Sequence, residues 1–66
     1  MLTYYVKFNA VNLIGMEIEV TQECHSRIQA FIYAKTIRKY HKGWNIRVYE
    51  YDAEKNEPMK LILRLV

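Results

Sequence analysis

Leu2-Thr3-Tyr4-Tyr5-Val6-Lys7-Phe8-Asn9-Ala10 alternates without a break. Leu2, Tyr4, Val6, Phe8 and Ala10 share one side, and Thr3, Tyr5, Lys7 and Asn9 share the other. A period of two marks a half-buried strand. Asn12-Leu13-Ile14-Gly15 then reads as a turn, with Gly15 free to take a positive φ. Met16-Glu17-Ile18-Glu19-Val20 alternates again with both glutamates outward, so the first twenty residues predict a β-hairpin.

Next comes a helical stretch. Thr21 is a suitable N-cap, Glu23 falls in the first turn, and no Gly or Pro interrupts Gln22 to about His41. Gly43 is placed to end the helix, with Lys39, His41 and Lys42 near its C-terminal end. Beyond it, Trp44, Ile46 and Val48 alternate with Asn45, Arg47, Tyr49 and Tyr51. The polar segment from Asp52 to Pro58 is a loop. Met59, Leu61, Leu63 and Leu65 then alternate with Lys60, Ile62, Arg64 and Val66, completing a second hairpin. The expected fold is therefore α+β in the order ββαββ: one domain spanning 1–66, a four-stranded antiparallel sheet with the helix on one face.

Projected at 100° per residue, Ala30, Tyr33, Ala34, Ile37 and Tyr40 form one stripe, which suits packing on a sheet. Ile28 and Ile32 fall opposite, in line with Lys35. A second rotation, burying Cys24, Ile28, Phe31 and Ile32, fits the sequence equally well. Either leaves an apolar pair uncovered. Chains of 66 residues bury little core, and self-association is a common remedy, so Ile28, Ile32 and Lys35 are the expected self-association surface.

The uncovered side of the sheet is the expected partner surface: Tyr5, Lys7, Arg47, Tyr49, Tyr51, Lys60, Ile62 and Arg64. Tyr and Arg are frequent anchors of protein contacts. The same types could stack on bases and pair with phosphates, so a nucleic-acid partner is the alternative. Charge is unevenly placed. Residues 24–49 hold Arg27, Lys35, Arg38, Lys39, Lys42 and Arg47 and no acid, which hints at an anionic partner.

Catalytic readings fare poorly. Cys24, His25 and Ser26 are adjacent, and neighbouring helix positions point roughly 100° apart. On the expected helix His41 lies roughly 24 Å away at 1.5 Å per residue, too far to pair with Cys24 or share a metal. The two glycines form no phosphate loop. Neither an enzyme, a metal nor a cofactor is expected. The lone cysteine, the lack of a signal-like start and the lack of a long apolar run suggest a cytoplasmic protein that neither enters nor crosses a membrane.

The order of elements differs from that of the double-stranded-RNA-binding domain and of the RNA-recognition fold. In size and Tyr-rich composition, though in no particular residue, the chain resembles the small accessory proteins of bacteriophages and mobile elements. That likeness implies an inhibitor or modifier of another protein. The functional expectation is a small, self-associating protein-binding module.

Overall fold

The computed structural model describes residues 1–65. Strands β1 (Leu2–Val11) and β2 (Glu17–Cys24) precede helix α1 (Arg27–Lys39), and β3 (Trp44–Asp52) and β4 (Lys60–Leu65) follow it. The four strands make one antiparallel sheet in the order β2-β1-β3-β4. The α+β architecture and the ββαββ order are those expected. Because β2 and β3 both run antiparallel to β1, they run parallel to each other, and α1 is the crossover between them.

The helix lies on the side of the sheet carrying Tyr4, Val6, Phe8, Ile46 and Val48, and it buries Ala30, Ala34 and Ile37 there. Alanines let the two backbones approach closely, so Val6 and Val48 are fully enclosed. Tyr33 also packs inward, its ring centroid 6.3 Å from that of Phe8. Of the two rotations, the Ala30/Ala34/Ile37 stripe is therefore the buried one, although Tyr40 at its end stays exposed.

The helix begins later than the sequence suggests. Thr21 is not its N-cap and Glu23 is not in its first turn. Both belong to β2, opposite Lys7 and Tyr5. Continuing the strand gives β1 a partner as far as the Tyr4–Cys24 pair and seats Cys24 in the core. The cap is Ser26, whose Oγ accepts a hydrogen bond from the Gln29 amide at 3.1 Å.

The helix also ends differently. His41, not Gly43, takes the left-handed position after it (φ 53°). The Lys42 amide returns to the Ile37 carbonyl at 2.9 Å and the His41 amide to the Arg38 carbonyl at 3.2 Å, a Schellman closure. Gly43 serves close packing instead: a Cβ there would lie 2.4 Å from Phe8 Cδ2 and 2.7 Å from the Asn9 carbonyl oxygen.

Two irregularities shift β3 and β4 against a simple alternation. Between Lys7 and Asn9 the register of β3 slips by one at Asn45 (φ 54°), so Trp44 faces Asn9 and leaves the Ile46/Val48 row. Between Val48 and Tyr49 it slips again, because Leu63 faces Val48 whereas Leu61 faces Tyr49. Ile62 is the extra residue, a β-bulge.

Candidate functional site

The sheet face away from the helix gathers side chains from all four strands. Register sets Tyr5 beside Tyr49, with Glu23 beyond Tyr5 and Leu61 beyond Tyr49. Thr3 pairs with Tyr51 in the next row on one side. On the other side Lys7 faces Arg47, and Arg47 faces Arg64. A row of three cations thus runs across three strands next to an aromatic row. Lys7 Nζ sits 5.6 Å from the Tyr49 ring centroid, within cation–π range.

Arg47 is the anchor of this face and is largely spent within it. Its side chain is only 13% exposed. Nε donates to the Asn45 carbonyl at 2.9 Å, and Nη2 lies 3.5 Å from both Asn9 Oδ1 and Glu19 Oε2. Asn45 extends the network, donating to Asn9 Oδ1 at 3.2 Å and accepting from Arg64 Nη1 at 3.3 Å. The left-handed backbone of Asn45, which asparagine tolerates, is what makes the β3 bulge that allows these contacts.

Two of the expected contact residues are elsewhere. The bulge at Ile62 turns that side chain toward the helix-side core, alongside Leu63 and Leu65. Lys60 pairs with Glu50, on the helix side as well. Leu61 takes their place on the open face and is 43% exposed. Sequence alternation misplaced these three residues because nothing in Lys60-Leu61-Ile62-Leu63 marks a bulge. Tyr5, Lys7, Arg47, Tyr49, Tyr51 and Arg64 do share the open face.

The face is not uniformly basic. Glu17, Glu19 and Glu23 occupy its β2 margin. Beyond that margin the first hairpin projects with its turn fixed by Asn12, whose Oδ1 accepts from the Ile14 and Met16 amides at 3.1 and 3.0 Å. Leu13, Ile14 and Met16 are exposed there. The sequence pattern places Leu13 and Ile14 in the turn but Met16 in the second strand, whereas β2 begins only at Glu17.

On the helix, Ile28 is 72% and Ile32 60% exposed, so the apolar pair expected on the outer side is there. Lys35 is exposed beside them.

Cys24 is buried at the end of β2, and its thiol pKa is pushed up, first by burial and then by Glu23. That favours the thiol over the nucleophilic thiolate. Ser26 is occupied as the helix cap. Among the described residues no three His, Cys, Asp or Glu side chains are grouped to hold a metal, and no helix is long and apolar enough to cross a membrane. Comparison with protein-family models, with curated proteins and with solved structures finds no match to this chain.

Proposed function

We propose that this chain is a non-enzymatic protein-binding module whose contact surface is the open sheet face, and that it acts by occupying or blocking its partner as a small inhibitor does. The observation that carries this reading is the juxtaposition of two rows, Tyr5–Tyr49 and Lys7–Arg47–Arg64. Like charges directly opposite on neighbouring strands weaken a sheet. Glu19 already offsets part of that cost at Arg47, and a bound carboxylate offsets the rest at Lys7 and Arg64, while the tyrosines and Leu61 supply the apolar contact area that protein interfaces use.

A protein fits this face better than a nucleic acid does. Glu17, Glu19 and Glu23 line the β2 margin, where a phosphate backbone crossing the sheet would be repelled. The partner expected is a protein with a carboxylate set beside apolar or aromatic side chains. The test is quantitative capture of binding proteins by wild type and by a Tyr5→Ser/Tyr49→Ser variant of equal melting temperature.

The proposal includes self-association through Ile28, Ile32 and Lys35. Two α1 helices crossing antiparallel at the level of residue 30 set Ile28 against the second copy's Ile32. The same crossing brings Lys35 level with the second copy's residue 25, at the edge of the apolar contact, where its charged end stays in water. The apolar pair is covered. The dimer leaves the open sheet face free.

A further inference from the structure

Where α1 stops and β3 starts there is a cavity of about 270 Å³ lined by Arg38, His41, Trp44, Ile46 and Leu65, with Gly43 and Asn45 at its edges. A more open depression shares Arg38 and Leu65 and continues to Lys35 and Lys39. The lining carries cations and one large aromatic ring, and no carboxylate among the described residues lies on it. Neither Arg38 nor His41 gives its side chain to an ion pair or hydrogen bond among the described residues. Arg38 stands in the last turn of α1, and Trp44 is 46% exposed because the β3 bulge keeps it out of the core.

His41 is the informative residue. It holds the left-handed position that closes the helix, where glycine would sit without steric cost. Histidine takes that conformation more readily than most residues, yet at some cost relative to glycine, so the closing position carries a side chain that the turn itself does not need. His41 is also on the cavity wall, facing the same space as Arg38 and Trp44.

The geometry points to a site for a nucleotide-like ligand, with its phosphate between Arg38 and His41 and its flat base against the Trp44 indole. Arg matches phosphate oxygens with two parallel donors, and an indole face stacks on any base. The same chemistry could come from a free mononucleotide or from one nucleotide of a single strand. The site lies at the end of the sheet and shares none of the tyrosines of the open face, so it stands or falls separately from the binding function proposed above.

Trp44 is the chain's single tryptophan, so its fluorescence reads this site directly. The experiment titrates adenosine and uridine 5′-monophosphate, inorganic phosphate and a short oligothymidylate into wild type, Arg38→Ala, His41→Gly and Tyr49→Ser. Saturable quenching by the nucleotides is expected, with inorganic phosphate competing. Arg38→Ala and His41→Gly each lose at least roughly tenfold in affinity, the loss typical of a charge-assisted hydrogen bond, and Tyr49→Ser binds as wild type does. His41→Gly is expected to melt higher than wild type, which separates lost binding from lost folding. An oligothymidylate that binds more tightly than the mononucleotides, with affinity falling steeply as salt rises, assigns the site to a strand. Equal or weaker strand binding assigns it to the free nucleotide. Trp44 emission that stays flat with every probe, or quenching that persists unchanged in both Arg38→Ala and His41→Gly, overturns the proposal.

Discussion

Arg27 Nη2 lies 2.7 Å from Glu50 Oε2, tying the first turn of α1 to the C-terminal part of β3. Tyr4 Oη donates to the same carboxylate oxygen at 3.1 Å. The hydrogen bond from Arg27, and after it the one from Tyr4, holds the Glu50 carboxyl below its usual pKa. A carboxyl whose pKa is lower folded than unfolded contributes stability that is fully present above the unfolded value, about 4.3 for glutamate. That contribution fades as pH falls through the folded value. Glu50→Gln is therefore expected to lower the melting temperature at neutral pH and to flatten the acid limb of the melting-temperature profile. Thermal melts from pH 7 down to about pH 2.5 measure it; an unchanged acid limb counts against the link.

The helix rotation is tested by two isoleucines. Ile37 is buried against the sheet, and Ile37→Ala is expected to cost about 2–4 kcal/mol. Ile32→Ala, on the outer side, is expected to cost under about 0.5 kcal/mol in dilute protein. Urea denaturation at low concentration gives both values, and reversed magnitudes would restore the alternative rotation.

Gly43 is required for space rather than for a turn. Gly43→Ala presses a methyl group on Phe8 and on the Asn9 backbone, and is expected to destabilise by about 1–3 kcal/mol. Gly15→Ala meets no atom within 4 Å, and its cost comes from the positive φ of 82° alone. That cost is expected to be roughly 1 kcal/mol. Chemical denaturation of the two variants side by side separates a steric from a conformational demand.

Self-association predicts a dimer mass by light scattering that falls to monomer in an Ile28→Glu/Ile32→Glu variant with an unchanged fold by circular dichroism. A wild type that is monomeric at all concentrations removes the dimer and leaves the isoleucines to another partner.

Much of this molecule was legible from periodicity. The four alternating runs, from Leu2, Met16, Trp44 and Met59, and the run free of Gly and Pro before Gly43 were enough to place four strands and one helix. What escaped were features set by pairing rather than by local pattern. Thr21 is an acceptable helix cap by itself, but Tyr4 to Lys7 needed a neighbour, so β2 kept Thr21 and Ser26 became the cap. Alternation cannot announce where a strand gains an extra residue, so Trp44, Lys60, Leu61 and Ile62 were assigned to the wrong sides. Arg47 looked like a free contact residue, whereas the Asn45 bulge folds Asn9, Asn45 and Glu19 around it. Tyr5 and Tyr49 are for that reason better probes of binding than Arg47, whose replacement would disturb the sheet.

The most direct measurement is the amount of each protein retained from lysate by immobilised wild type and by Tyr5→Ser/Tyr49→Ser, after nuclease treatment and at matched melting temperature. The expected result is a small set of proteins held by wild type and depleted roughly thirtyfold by the variant, the loss typical of removing an interface hot spot. Identical sets on both, or retention that disappears with nuclease, would contradict a protein-binding role for the open sheet face.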